Sequence, residues 1–330
     1  MGKIFLTGAS GFIGSNLTGK LISAGHEVYA LSRKTMDTTN KNMVSVVGDI
    51  LKPETFTATI KYCDAVFHCA AYVSFHKNDF HKAFDVNVTG TKNILEAAYR
   101  ADIKKVVHLS ACAVLGYSNN KGKVIDETAH PVIEKDNVYA HTKKSAEEVI
   151  DEYVRKGLDI SIANISTVYG QGDNKLNSGS IIKSIYENRL KFVPPGGTSY
   201  VAVDDLVEGL LLLAEKGKAG ERYIFSTENL EYADLAGRIA RTLEVESPKF
   251  VLPRISYYPV LLAANLLEIF SGLKKSGVNL MTGQIVKETY HYKYFSSQKA
   301  RKELGWKPSR RLEDAVSKAF AFYKERGLIR

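Results

Sequence analysis

Tyr139 and Lys143 are the two residues whose types and spacing could move a proton. They lie four apart in a segment of helical period, so they share one helix face. An ammonium close to a phenol favours the phenolate and lowers its pKa from about 10 toward the working range. Such a phenol gives a proton to a carbonyl oxygen or takes one from an alcohol. The spacing alone is weak evidence. With 18 tyrosines in the chain, about two Tyr-x-x-x-Lys pairs are expected by chance, and two occur. The other pair, Tyr117 with Lys121, encloses Ser118-Asn119-Asn120, a loop composition that would not align the side chains. Tyr139 is singled out by its place on a helix just downstream of the fifth strand.

Holding such a pair takes a rigid frame, and the first half of the chain reads as one. Short apolar runs at 3–7, 27–31, 44–47, 65–68, 105–110 and 159–165 alternate with helix-period stretches at 12–24, 80–100 and 140–156. That alternation predicts an α/β fold, a doubly wound parallel sheet built mainly by residues 1–170. Gly25 and Gly157 stand where helix C-caps belong. Beyond 170 the pattern loosens around Pro194-Pro195-Gly196-Gly197. Residues 171–330 are therefore expected to form mainly a smaller substrate-binding lobe, with 198–215 returning to the first domain. Ligands of doubly wound sheets lie at the carboxyl ends of the strands, which puts the cleft between the lobes.

The first strand runs into Gly8-Ala9-Ser10-Gly11-Phe12-Ile13-Gly14 and a helix. Gly8 permits the tight turn, Gly11 lets backbone approach a pyrophosphate, and Gly14 lets helix and strand pack closely. The turn, with Ser10, Phe12 and Ile13, is thus the expected cradle for a dinucleotide, its phosphates meeting N–H groups at the positive end of the helix. The second strand ends in Ser32-Arg33-Lys34. A carboxylate there would accept the ribose 2'-hydroxyl of NAD, whereas Arg33 and Lys34 attract a 2'-phosphate. NADP is the expected cofactor and NAD the alternative. After the third strand, Asp49, followed by Ile50, either reaches the adenine amino group or forms a turn.

Composition sets the boundaries. The chain has 330 residues, 45% apolar and 25% charged, the balance of a globular protein with room for a closed core. Cys63, Cys69 and Cys112 give neither a disulfide framework nor zinc spacing, and His76, His108 and His141 lack metal-ligand spacing. No metal is expected, and the thiols read as reduced and cytoplasmic. The net charge of +9 is scattered among acids without a basic arm, which reads as a solvated surface and not a nucleic-acid site. Residues 1–7 are too short an apolar run for a signal peptide. The most apolar stretch, 255–270, falls short of the roughly 20 residues a bilayer requires. It reads as a packed domain helix, with cover over a greasy pocket or contact with a membrane surface as alternatives.

With the glycine turn at one end and Tyr139-Ala140-His141-Thr142-Lys143 at the other, the chain resembles the extended short-chain dehydrogenase/reductase family, the NAD-dependent epimerase/dehydratase group, over essentially its whole length. Further landmarks are Val66-Phe67-His68-Cys69-Ala70-Ala71, Asn87-Val88-Thr89-Gly90-Thr91, Val168-Tyr169-Gly170, Val203-Asp204-Asp205, and Phe295-Ser296-Ser297 through Leu304-Gly305-Trp306-Lys307-Pro308. Within the family it is most similar to the dihydroflavonol reductase-like branch, which includes hydroxysteroid dehydrogenase relatives. The resemblance implies a Rossmann fold and NAD(P) chemistry at an alcohol or ketone. It implies Tyr139 as acid/base, Lys143 as its electrostatic partner and holder of the nicotinamide ribose, and Asn87 in the proton relay. Ala70, Ala71 and Ile165 would line the cofactor. Many relatives pair through two helices, so a homodimer through 80–100 and 140–156 is expected.

Three positions depart from the family pattern. A serine or threonine usually ends the fifth strand and hydrogen-bonds the reacting oxygen, whereas here the run is His108-Leu109-Ser110-Ala111-Cys112. Aligned on the strand the slot falls on Ala111; shifted by one it falls on Ser110, the residue expected here to serve. The family's proline after the sixth strand is Ile165, and its glycine-proline after Val-Tyr is Gly170-Gln171. Both read as packing changes, with a loosened nicotinamide pocket as the alternative. Residues 198–202 hold no basic side chain for a sugar diphosphate, and 110–112 lack the acid pair of sugar dehydratases. The expected reaction is therefore NADP-dependent reduction of a small hydrophobic ketone, or oxidation of the alcohol, in a pocket of Tyr72, Val73, Phe75 and 255–270. A nucleotide-sugar epimerase or dehydratase with tightly bound NAD, and a catalytically silent NADP-binding regulator, are the alternatives.

Overall fold

The computed structural model describes residues 2–133, 136–271 and 282–329. Strands β1 (Lys3–Thr7), β2 (Glu27–Ser32), β3 (Met43–Val47), β4 (Ala65–His68), β5 (Lys105–Ala111) and β6 (Ile160–Ile165) come from the first half. The shorter β7 (Thr167–Tyr169), β8 (Phe192–Val193), β9 (Gly197–Ala202), β10 (Arg222–Phe225), β11 (Glu228–Glu231), β12 (Phe250–Val251) and β13 (Tyr292–Lys293) follow. The helices are α1 (Phe12–Ser23), α2 (Thr57–Ile60), α3 (Phe80–Phe84), α4 (Gly90–Arg100), α5 (Val138–Arg155), α6 (Gly179–Tyr186), α7 (Val203–Lys216), α8 (Tyr232–Thr242), α9 (Tyr257–Ser271), α10 (Gly283–Thr289) and α11 (Leu312–Glu325).

The main sheet has the order β3-β2-β1-β4-β5-β6-β10, and every pairing in it is parallel. Central strands such as Ile160-Ser161-Ile162-Ala163-Asn164-Ile165 are buried on both faces, as a parallel sheet covered by helices requires. On one face α1 and α7 cover Leu6, Val107, Ala163 and Phe225, joined by Trp306 from near the carboxyl end. The Trp306 indole donates to the Asp205 carbonyl at 2.8 Å. On the other face Ile94, Leu95 and Ala98 of α4 and Ile150 and Tyr153 of α5 meet Phe5, Val66, Val106 and Ile162.

The expected helix over 80–100 is present, continuous but not α-helical throughout. Between α3 and α4 the residues Asp85–Thr89 make a π-helical turn. The return of 198–215 is divided: α7 packs in the main core, but the preceding β9 pairs with β7, β11 and β13 in a second sheet. The strand that does return is β10, whose Tyr223, Ile224 and Phe225 are fully buried. No helix among the described residues is long and apolar enough to cross a membrane.

Candidate active site

The glycine turn lies where the strand order reverses between β1 and β4, the position at which doubly wound sheets bind ligands. Gly8 sits at φ +72°, and a Cβ there would come within 2.7 Å of the Ala70 nitrogen. A Cβ on Gly14 would lie 2.1 Å from the Gly8 carbonyl oxygen. Gly11 differs, because its Cβ would meet only that same oxygen, at 3.1 Å. Gly8 and Gly14 are required by the protein's own packing, whereas Gly11 leaves room for a ligand. No side chain caps α1 at Gly11 and no acid stands in its first turn, so the N–H groups there are suited to an anion.

Arg33 and Lys34 are exposed just beyond β2, with no ion pair among the described residues. Asp49 is a turn former: its Oδ1 accepts from the Leu51 nitrogen at 3.0 Å. Ile50 is buried under the start of α4, where a Cβ on Gly90 would collide with it. The segment with the departing Gln171 is pinned across α1, the Asn16 amide donating to the Gln171 carbonyl at 2.9 Å. Ile165 is buried at the end of β6. The residues present fit a dinucleotide along this end of the sheet.

A chain of hydrogen bonds runs beneath that site. The Thr91 hydroxyl donates to the Asn87 carbonyl at 2.6 Å, so its oxygen accepts from His68 Nε2 at 3.0 Å. His68 Nδ1 must then accept from the Thr7 hydroxyl at 2.7 Å, and Thr7 Oγ1 accepts from the Ala70 nitrogen at 3.1 Å. Each hydroxyl has one proton, which fixes the whole sequence of donors. His68 is neutral in it, burial pushing its pKa down to about 3. Asn87, in the π-helical turn, clasps Tyr72 by two bonds, accepting from its nitrogen at 2.7 Å and donating to its carbonyl at 3.0 Å. Its amide also donates to the Thr142 hydroxyl at 3.0 Å.

Tyr139 and Lys143 lie on α5 as the spacing predicts, but their electrostatics differ from the expectation. Lys143 is buried, and its ammonium donates to the Leu109 carbonyl at 2.6 Å and to His108 Nε2 at 3.2 Å. Burial lowers its pKa to about 8, opposed chiefly by the Glu147 carboxylate. The Tyr139 phenol is pushed up to about 12, first by burial and then by Cys112 and Glu288. Desolvation and the neighbouring acids set the phenol, the Lys143 ammonium is not among the groups that shift it, and Tyr139 is held protonated. Its ring meets Phe75 edge-on, with centroids 6.1 Å apart.

Ser110 is not available as the second hydroxyl. It is buried and donates to Glu147 Oε1 at 2.6 Å, an oxygen that also accepts from the Asn164 amide at 2.9 Å. Arg222 stands 3.3 Å from Glu147 Oε2. Strand alternation puts Ser110 on the same face as His108, and on that face a carboxylate claims its proton. The end of β5 is occupied by Ala111.

Sequence reading missed Glu147, His108, Asn137 and Glu288. Asn137 caps α5, its Oδ1 accepting from the Ala140 nitrogen at 3.2 Å, and its amide donates to Glu288 at 3.2 Å. Glu288 is paired with Lys293 at 3.0 Å, which helps hold its carboxyl below the usual range against burial. The Asn before an apolar helical run was a readable capping signal, whereas nothing local marks Glu288. Beside Phe75, a cavity of about 100 Å³ is lined by Lys77, Asp136, Asn265, Gln284 and Lys287. Tyr72 and Val73 are not among its lining residues, and its rim is more polar than expected. Lys77 is paired with Asp136 at 2.6 Å. Among the described residues no group of three His, Cys, Asp or Glu side chains could hold a metal ion.

The model of the NAD dependent epimerase/dehydratase family matches residues 4–225. A putative dihydroflavonol 4-reductase of Synechocystis is 28% identical over 99% of this chain and 96% of its own length. Sterol demethylase protein B of Methylococcus capsulatus is 29% identical over 98% and 99%. The crystal structure of gox2253, 33% identical, superposes with a TM-score of 0.84 over 99% of both chains. The chain belongs to the NAD dependent epimerase/dehydratase family, the extended short-chain dehydrogenases/reductases. It is an NAD(P)-dependent oxidoreductase of that type.

Proposed function

We propose that the protein is an NADP-dependent carbonyl reductase, or alcohol dehydrogenase in the reverse direction, acting on a hydrophobic substrate. The observation that carries this reading is the Tyr139 phenol packed edge-on to Phe75, one turn of α5 from the buried Lys143 amine. When bound, the nicotinamide supplies or takes the hydride. Tyr139 gives its proton to the carbonyl oxygen as that oxygen gains charge. Lys143, anchored on the Leu109 carbonyl, offers its remaining N–H to the cofactor side and its charge to the phenolate left behind. Asn87 holds the Tyr72 segment, which carries Phe75, against the helix bearing Tyr139.

The exposed Arg33 and Lys34 favour NADP. A reductase and a sterol demethylase protein among the relatives, with Phe75 in the cavity wall, favour a hydrophobic ketone. The test is NADPH and NADH oxidation by purified protein against a panel of aliphatic, aromatic and sterol ketones, with UDP-sugars as controls. Net oxidation of NADPH by hydrophobic ketones is the expected result. Interconversion of UDP-sugars without net cofactor consumption would replace this reading by the epimerase one, and nucleotide binding with neither reaction by the regulator one.

A further inference from the structure

Helix α9 is apolar on both sides. Inward, Tyr257, Val260, Leu261 and Ala264 pack with Val286 and Tyr290 of α10. Outward, Tyr258, Leu262, Leu266 and Leu267 are exposed, and Ile255 extends the stripe ahead of the helix. Ile255 is 86% exposed, Tyr258 77% and Leu262 62%. Positions 255, 258, 262 and 266 recur every three or four residues, so they project to one side, where a domain helix ordinarily carries polar residues. Strand β12, which leads into this segment, adds exposed Phe250 and Val251, and its partner β8 adds Phe192. The two phenylalanine rings are 6.0 Å apart. Exposed apolar side chains in this number mark a contact site.

The charge around it chooses the partner. Between residues 247 and 267 the chain has Lys249 and Arg254 and no acid, and Lys191 precedes Phe192. All three cations are exposed; the Glu246 carboxylate is 3.7 Å from Lys249, a solvated pair of little weight. We propose that this face docks on an anionic lipid bilayer, with α9 lying in the headgroup plane, its apolar stripe among the acyl chains and the three cations on lipid phosphates. A second copy of the chain would set the same cations against each other, whereas anionic headgroups complement them. The proposal deepens the reading of a hydrophobic substrate and rests on it for its purpose: Asn265 of α9 lines the cavity beside Phe75, so a ketone dissolved in the bilayer would enter from the docked side.

Flotation of the full-length protein with vesicles of phosphatidylcholine alone, and of phosphatidylcholine with phosphatidylglycerol, tests this. Association with the phosphatidylglycerol vesicles, weakening as salt rises, is expected. Ile255→Glu with Leu262→Glu should lower that association at least about tenfold and leave the melting temperature unchanged. Lys191→Glu with Lys249→Glu, which alters no apolar side chain, should remove the preference for phosphatidylglycerol. Absence of association, or equal association by both variants, overturns the proposal. So does a dimer in light scattering that Ile255→Glu with Leu262→Glu dissociates, because that assigns the face to a second copy. Flotation is read without turnover, so failure of the ketone panel and failure of docking are separate results.

Discussion

The glycine turn and the tyrosine helix stand at the same end of the same sheet, yet the first takes its geometry from seven consecutive residues and one backbone contact beyond β4, and the second from elements spread over the chain. At the turn, Gly8 and Gly14 are dictated by contacts of 2.7 and 2.1 Å that any larger residue would violate. At the helix, Asn137 is held by Glu288 of α10, and Glu147 gathers Ser110, Asn164 and Arg222 from three strands. Backbone sterics specify the cofactor end, and buried charge specifies the chemical end. A single substitution should therefore act on binding at one end and on proton transfer at the other.

The largest effect that would sharpen this division is at Tyr139. Tyr139→Phe is expected to lower turnover by about 10²–10⁴-fold with cofactor affinity and melting temperature unchanged; steady-state kinetics and nucleotide titration check both. Ala111→Ser works in the opposite sense. It returns a hydroxyl to the end of β5, and since one oxyanion donor is worth about 10²–10³-fold, a rise in kcat toward that size is expected. A fall in kcat would break the idea that this end of the cleft lacks a donor.

Glu147→Gln tests buried charge directly. With Lys143 at about 8, the active ammonium is lost as pH rises through that value, so kcat/KM should fall on the alkaline side near pH 8. Removing the carboxylate that supports the ammonium moves this limb to lower pH, and an unmoved limb would assign Glu147 to packing alone. At the cofactor end, Arg33→Ser should shift the NADP/NAD preference about tenfold toward NAD without altering kcat. The smallest effect concerns stability. His68 has its folded pKa depressed to about 3 from 6.5, so its contribution is present above 6.5 and lost progressively as pH falls toward 3. Melting temperatures measured across that window should decline, and His68→Gln should flatten part of the decline.

The parallel strands and the glycine turn were legible because their signals are local: apolar runs of strand length, and small residues at fixed offsets ahead of a helix. Tyr139 was legible by its position. The sense of its pKa shift was not, because that depends on how much water the fold removes from the phenol, and no spacing records burial. Ser110 misled for a related reason. Residue type marked it as a hydroxyl at the right strand end, but the carboxylate that takes its proton lies 37 residues away. The π-helical turn at Asp85–Thr89 hid inside a sound helical period, since a departure confined to one turn leaves the apolar spacing on either side of it intact. Nothing in the structure explains the departing Gly170-Gln171, since the Asn16 amide bonds the main-chain carbonyl of Gln171, an acceptor any residue supplies.

The run from the Ala70 nitrogen through Thr7, His68 and Thr91 to the Asn87 carbonyl has one consequence for motion. Its ends are an N–H that can only donate and a C=O that can only accept, so no hydroxyl between them can reverse without a bond being lost. The loop beyond β4 and the π-helical turn are in that sense tied to each other through the imidazole.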